Sequence, residues 1–311
     1  MVKANAYNHG IDGVTYIAKN IVDRFGVATI DEARQLREMG IKTPISLFGC
    51  HDVDLDKVKE YNVTPVAYNL NLFKNILEEG ISEFDIKIDS GMHRFGFNEE
   101  KDIFHIVKIC KEYGVKPRAV HTHFMSPRMM NSQISSYNRI IKPISDYCSF
   151  KHILSASSGI DHGYYFDGVR IGLKAYKNAL EITSVVLEVK DVRKGEQVGY
   201  DGDYCALNNT RIAIVGGGYY DGIRRSYKGA FVKINEQLFN IVGKVSMDTF
   251  FVDVGYHQVN IGDKVIVLSN DTLNSFIGVA NTNEYEVLVS INGRGKRIYE
   301  FNGKAVSSFI N

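Results

Sequence analysis

The stretch FDIKIDSGMHRFGFNEEKDIFHIVKICKEYG, residues 84–114, decides the fold. It opens on Phe84 to Ser90, an apolar run of strand length, and becomes helical after a turn at Gly91. From Glu99 to Tyr113 the apolar set Ile103, Ile106, Val107, Cys110 and Tyr113 recurs at spacings of three and four, which puts one stripe on an amphipathic helix. Gly114 follows as a C-terminal stop. Strand, turn, helix and stop together make one βα unit.

The same unit repeats on both sides. Further strand candidates are Arg24 to Thr29, Pro44 to Gly49, Val63 to Tyr68, Lys116 to Phe124 and Phe150 to Ser157. Helical segments are expected over Gly13 to Val22, Asp31 to Met39 and Asn69 to Glu79, the last two stopping at Gly40 and Gly80. Six or more such units imply a parallel sheet, and its commonest closed form is a TIM-type (β/α)8 barrel. Beyond about residue 180 the runs Ile182 to Val189, Arg211 to Val215, Phe231 to Ile234, Phe250 to Val254 and Lys264 to Leu268 are β-rich with little helical period. They predict a second, all-β domain. The expected division is an α/β barrel over residues 1–178 and a β-rich carboxyl-terminal domain over 179–311, in keeping with about 150 residues per domain for a chain of 311.

Composition narrows the function. Lys plus Arg number 37 against 36 Asp plus Glu, a net charge of +1, and no long single-sign block occurs, which points away from nucleic acid and from membrane surfaces. No signal-peptide pattern and no apolar span of membrane length is visible, so the expected location is the cytoplasm. Cys50, Cys110, Cys148 and Cys205 are far apart and read as reduced thiols.

Chemistry in a parallel barrel sits at the carboxyl ends of strands. Lys3 precedes Ala4, Asn5, Ala6 and Tyr7, and a lysine so placed is either solvated or a Schiff-base former. Lys87 and Asp89 alternate on one strand face with Arg94 just beyond, which suits either a structural ion-pair network or a carboxylate clamp. His121 and His123 could form a metal pair, but the only further ligands in sight are His152, His162 and Asp161, and the expectation is no metal. GGGYYDG, residues 216–222, is a phosphate-cradling glycine run or a tight turn exposing Tyr219 and Tyr220.

Taken together these segments resemble the alanine racemase family. VKANAYNHG (residues 2–10) is similar to the family's pyridoxal-phosphate lysine motif VKANAYGHG, differing only at Asn8. KIDSGMHRFGF (87–97) resembles KxDTGMxRLG, THF (122–124) the family's THF, and VRIGLKAY (169–176) its RPGIALYG. GGGYYDGIRR (216–225) resembles VGYADGxxR, VGKVSMDTFFVDV (242–254) resembles VGRVCMDQxMVDV, and GDKVIVL (262–268) resembles GDEVVLIG. Seven matches in the family's order, across both domains, make the resemblance specific.

The resemblance implies a pyridoxal 5'-phosphate enzyme that interconverts L-alanine and D-alanine, an isomerase supplying D-alanine for peptidoglycan. It implies that Lys3 holds the cofactor and serves as one acid/base, with Tyr219 as the second on the opposite face of the amino acid. Racemisation asks for such a pair, since one group cannot reach both faces of the α-carbon. By the same resemblance His123 contacts the tyrosine, and Arg170 contacts both that histidine and the pyridine nitrogen. Arg94 and the backbone N–H of Met247 bind the substrate carboxylate, and Lys87 matches a carbamylated lysine that steadies the arginine. Tyr7, the backbone at Gly172 and Leu173, and Ser155 or Ser157 hold the phosphate. The tyrosine comes from a second copy, so a head-to-tail homodimer with shared active sites is expected.

Three departures from the family pattern are visible. Only Met1 and Val2 precede Lys3, so an amino-terminally truncated barrel is expected. In SINGRGKR (290–297) Gly293 stands where the family carries a tyrosine, which bears on phosphate binding and entrance size. SASS (155–158) and RIGL (170–173) replace the usual NSAA and RPGI. Alternatives left open are a serine or broader-specificity racemase, and a truncated, catalytically weak cofactor-binding homologue.

Overall fold

The computed structural model describes the chain except residues 50–52, 149, 156–165, 292, 302–303 and 307–311. It divides into two compact units. Among the described residues one holds Met1–Ala6 and Gly10–Ala175, the other Tyr7–His9 and the chain from Tyr176 to residue 306.

In the first unit six parallel strands lie side by side in chain order: β1 (Phe25–Val27), β2 (Ile45–Leu47), β3 (Thr64–Ala67), β4 (Asp85–Lys87), β5 (Ala119–His121) and β6 (Phe150–His152). A separate parallel pair joins β7 (Leu154–Ser155) to β8 (Val169–Arg170). Strands are shorter than the apolar runs that marked them. Phe84 to Ser90 contributes only Asp85–Lys87, because Ile88 bridges Phe97, whose N–H donates to Lys87 O at 2.9 Å. Phe150 to Ser157 splits between β6 and β7.

Helices Ile11–Ala18, Ile30–Glu38, Leu55–Glu60, Leu70–Glu78, Glu100–Tyr113 and Met130–Ile140 fall between the strands. Thr29 and Glu32 form a reciprocal capping box, and Asn69 accepts the N–H of Leu72, so side chains satisfy helix-start donors. Glu100–Tyr113 buries Ile103, Ile106, Val107, Ile109 and Cys110. Tyr113 is exposed, contrary to its place in the expected stripe, because it is the last helical residue before left-handed Gly114. The buried face joins Phe73, Ile76, Phe84, Ile86 and Tyr137 in one core. At about 1.5–3 kcal/mol for each fully buried large apolar side chain, this core fixes which edge of each strand carries chemistry.

The second unit is a closed antiparallel barrel. Its chain runs through β9 (Ile182–Val192), the small hairpin strands β10 (Gln197–Val198) and β11 (Tyr204–Cys205), β12 (Thr210–Gly216), β13 (Phe231–Ile234), β14 (Gln237–Val242), β15 (Thr249–Asp253) and β16 (Lys264–Leu268). The barrel order is β12-β15-β14-β13-β16-β9; β9 is long enough to pair with both β16 and β12 and so closes the ring. Phe250, Val252, Val232, Ile234 and Val265 are buried. Two features depart from the sequence reading: helices break the all-β expectation, and one barrel strand lies outside the expected runs. Helices Asn270–Ala280 and Glu284–Ser290 are present, each with few buried residues and hence a thin stripe, but Ser269 and Asn283 cap their first turns. β14 follows β13 through Asn235 and Glu236, both at positive φ (48° and 65°), a two-residue hairpin turn usually written with glycine. Among the described residues no helix is long and apolar enough to cross a membrane. Cys110 and Cys148 are buried and Cys205 exposed, all three as free thiols.

Candidate active site

Lys87, His121 and His152 end β4, β5 and β6 and share one row of the register. Arg170 ends β8. Its Nη1 lies 2.5 Å from His152 Nδ1 and donates to His152 O at 3.2 Å, while Nη2 donates to Thr122 O at 2.6 Å and to Ile153 O at 3.1 Å. A guanidinium only donates, so Nδ1 of His152 accepts and its proton sits on Nε2. Burial and the charge of Arg170 hold His152 well below the ordinary histidine range, which keeps the ring neutral for this task.

His123 lies two residues past β5 and is partly buried. Burial, then Arg170, Lys87, Arg94 and Lys3, bring it down to about 3. Lys87 is partly buried and drops from 10.5 to about 7, first through burial, then through Arg170 and Arg94. Arg94 is exposed on the loop after β4. That loop is fixed by Asp89, whose Oδ1 accepts the N–H groups of Gly91, Met92 and His93 at 2.9–3.0 Å. Among the described residues Arg94 pairs with no carboxylate, while Asp89 acts on Lys87.

Lys3 is exposed at the start of an unusual turn. Ala4, Asn5, Ala6, Tyr7 and Asn8 all have φ between 51° and 68°, five consecutive left-handed residues without a glycine. Such residues cost about 1–2 kcal/mol each. The turn is held by Ala6 N–H to Val2 O (2.8 Å), Gly10 N–H to Asn5 O (3.0 Å) and Ile11 N–H to Asn5 Oδ1 (2.8 Å). Glu32 accepts the N–H groups of both Ala4 and Ala28 at 2.7 Å, which ties the residue after Lys3 to the start of a helix. In the second unit Asn8 is buried, and its Nδ2 donates to Leu288 O (2.8 Å) and to Ile291 O. Arg297 donates to Asn8 O (2.6 Å) and to its Oδ1 (2.5 Å). Tyr7 is buried against the rings of Tyr176 and Tyr285. Gly172 precedes a 3-10 turn over Leu173–Tyr176, and its carbonyl accepts Ala175 N–H. Ser155 ends β7; Ser157, His162 and Asp161 lie outside the described residues.

The two histidines that could have formed a metal pair part company. His121 is fully buried, stacked on His152 at 4.7 Å, and forms a buried cluster with Asp85 and His152, without His123. Arg118 pairs with Asp85 at 2.5 Å and Arg170 holds His152, so two cations already occupy the flanks where a metal ion would add a third charge.

On the second unit GGGYYDG forms a tight 3-10 turn with Tyr219 and Tyr220 exposed. Gly217 N–H donates to Asp248 O and Gly218 N–H to Asp221 Oδ2, so these donors are spent within the turn rather than on a phosphate. Met247, also exposed, lies on the adjacent loop, since Tyr219 N–H donates to Ser246 O at 3.0 Å.

In the first unit Arg170, Arg94 and Lys3 all act on Lys87 and on neutral His123, while Asp89, the carboxylate acting on Lys87, is committed to backbone N–H groups. A cationic surplus at strand ends beside an accessible lysine fits a small anionic ligand carrying an aldehyde, and pyridoxal phosphate is such a group. Sequence reasoning missed His152 as the partner of Arg170, and Glu32 as the anchor of Ala4; a capping-box reading of Thr29 and Glu32 was the available signal for the second.

A parallel α/β sheet bearing a lysine and arginines at its strand ends, followed along the chain by a closed β-barrel, defines a two-part class of protein, and the comparisons narrow it. Residues 1–179 match the alanine racemase N-terminal domain and residues 179–299 the alanine racemase C-terminal domain. The chain belongs to the alanine racemase family. It is 31% identical to the alanine racemase of Clostridium perfringens (strain SM101), over 98% of this chain and 89% of that protein. It superposes on the alanine racemase of Clostridium difficile 630 with a TM-score of 0.91 at 27% identity, covering 100% of this chain and 91% of that one. The same enzyme in complex with cycloserine gives a TM-score of 0.88 at 25% identity, over 100% and 91% of the two chains.

Proposed function

We propose that this protein is a pyridoxal-phosphate-dependent isomerase that interconverts L-alanine and D-alanine by a two-base transfer of the α-proton, supplying D-alanine for peptidoglycan in the cytoplasm. On this reading residues 1–178 form a TIM-type (β/α)8 barrel that binds the cofactor, and residues 179–311 are the β-rich domain. The observation that carries it is Arg170 fixed at the strand ends by Thr122, His152 and Ile153, with Lys87 ending β4 and His123 just past β5, in a chain of the alanine racemase family.

Pyridoxal phosphate supplies an aldehyde for a lysine and a conjugated ring that delocalises the electron pair left when the α-proton departs. Lys3 holds it and exchanges the α-proton on one face. Tyr219 of a second copy in a head-to-tail dimer does so on the other, with His123 beside it; the exposure of Tyr219 and Met247 suits completion by another chain. Arg170 would hold the ring nitrogen, and a guanidinium there would donate a hydrogen bond without giving up its proton. Tyr7, the N–H groups of Gly172 and Leu173, and Ser155 hold the phosphate. Arg94 and the Met247 N–H hold the substrate carboxylate. Lys87, already low enough to lose its proton near neutrality, takes up carbon dioxide and releases a proton, and the resulting carbamate anion steadies Arg94.

The test is D-alanine formation from L-alanine by the cofactor-loaded protein, with borohydride reduction followed by peptide mapping. The expected result is label on Lys3 and activity abolished in Tyr219→Phe. Label elsewhere, or full activity in that variant, overturns the assignment.

A further inference from the structure

Three parts of the second unit approach one another closely: the turn 216–222, the loop 246–249, and the residues Ser290, Ile291, Gly293 and Arg294. A Cβ on Gly218 would lie 2.3 Å from the carbonyl oxygens of Ser246 and Met247, and one on Gly222 would lie 1.8 Å from Ser290 O. On Gly293 it would lie 2.3 Å from Asp221 Cα. Only glycine allows such approach. Gly217 N–H to Asp248 O (2.8 Å), Tyr219 N–H to Ser246 O (3.0 Å) and Tyr220 N–H to Met247 O (3.2 Å) zip the first two segments together.

The third segment adds one guanidinium. Arg294 donates through Nε to Asp221 Oδ1 (2.9 Å) and through Nη2 to Asp221 Oδ2 (2.7 Å), a bidentate fork, and its backbone N–H also reaches Asp221 Oδ1 at 3.2 Å. The same Nη2 lies 2.9 Å from Asp248 Oδ1, and the guanidinium sits 4.9 Å from the centre of the Tyr220 ring. Asp221 is two residues beyond Tyr219; Asp248 is the residue after Met247. The Arg294 side chain is 53% exposed, and ion pairs this exposed add little to stability. A planar fork bridging two carboxylates does something else: it fixes direction.

We propose that Arg294 is a positioning residue that locks the Tyr219 turn and the Met247 loop into one rigid pair, so that the proton-carrying phenol and the carboxylate-binding N–H keep a constant separation. This rests on the roles given to Tyr219 and Met247 under the proposed function. Arg294 itself touches no reacting atom. A lysine cannot replace it, because a single ammonium lacks the fork that spans both carboxylates.

The test uses the cofactor-loaded wild-type protein, Arg294→Ala, Arg294→Lys and the milder Asp248→Asn, which alters only an exposed partner. Amide hydrogen exchange at residues 217–221 and 246–248 is expected to accelerate in both Arg294 variants. Racemisation kcat is expected to fall on the order of 10²-fold, the scale of a 1 Å misplacement. The primary isotope effect is expected to rise with α-deuterated alanine of one hand only, the hand whose proton Tyr219 takes, whereas general loss of folded protein would leave both isotope effects unchanged. Asp248→Asn is expected to give a smaller change of the same kind. Unchanged exchange in both segments, or an isotope effect that rises equally for both hands, overturns the proposal. A wild-type protein that makes no D-alanine instead defeats the proposed function, and the exchange measurement still decides whether Arg294 locks the two loops.

Discussion

Arg170 places Nη1 2.5 Å from Nδ1 of His152, eighteen residues earlier in the chain, and makes three further Nη contacts with the carbonyls of Thr122, His152 and Ile153. The arginine is therefore held by the carboxyl ends of β5 and β6, and its direction is set before any ligand arrives. Arg170→Lys keeps the charge but cannot reproduce four directed contacts. Hydrogen bonds to charged groups are worth about 1.5–3 kcal/mol each, so even one lost contact passed on to the ligand weakens pyridoxal phosphate binding by roughly tenfold or more. A spectrophotometric titration of the apo-protein checks this, and equal affinity in the variant would show that Arg170 serves the sheet rather than the site.

The lowering of Lys87 to about 7 makes stability depend on pH. In the folded protein this amine loses its proton near pH 7; in the unfolded chain it keeps it until about 10.5. Between those values the unfolded chain binds more protons, so stability rises with pH, by up to about 1.4 kcal/mol per pH unit for one full proton. His123, brought from 6.5 to about 3, adds the same sign in a lower window, stability falling as pH drops below 6.5. Urea unfolding in carbon-dioxide-free buffer is expected to show a shallower rise from pH 7 to 10.5 in Lys87→Met than in wild type. Identical slopes would place the amine in contact with solvent.

Asn8 stands where the family motif has glycine, at φ 68°, and every polar atom of its side chain is used. Asn8→Gly relieves left-handed strain of about 1–2 kcal/mol. It also removes three hydrogen bonds, at about 1 kcal/mol each, and leaves the carbonyls of Leu288 and Ile291 without that donor. The net expectation is a loss of about 1–2 kcal/mol in thermal or denaturant unfolding, with Arg297→Ala showing part of the same loss. A more stable Asn8→Gly would mean that backbone strain outweighs the amide's bonds.

How far the site could be read from sequence differs residue by residue. Lys87 and His121 were legible because strand alternation and a following turn put them at strand ends, and the family motifs drew attention to Lys3, Arg94, Arg170, Tyr219 and Met247. The left-handed run from Ala4 to Asn8 was not legible, since alanine, asparagine and tyrosine carry no local signal for positive φ and the conformation is imposed by Val2, Asn5 and distant carbonyls. His152 was read only as a stray metal ligand, because its link to Arg170 depends on how β6 and β8 are placed rather than on spacing. The helices after β16 were lost to a period search because each buries only two residues, though Ser269 and Asn283 announced them as caps.

Gly293 and Gly295 are two residues apart and separate a packing requirement from a tolerance for change. A Cβ on Gly293 would stand 2.3 Å from Asp221 Cα, 2.5 Å from its Oδ1 and 2.7 Å from its Cβ; the carboxylate could turn aside, but the Cα belongs to the backbone of the turn that carries Tyr219. Nothing lies within 4 Å of a Cβ on Gly295. Gly293→Ala is therefore expected to destabilise the protein by about 3 kcal/mol or more, and Gly293→Tyr by a similar amount, since every larger residue brings the same Cβ. Gly295→Ala is expected to stay within about 0.5 kcal/mol of wild type. Unfolding midpoints for the three variants decide the matter. If Gly293→Tyr is as stable as wild type, Gly293 can move away from the turn 216–222, and the family's tyrosine could be accommodated here.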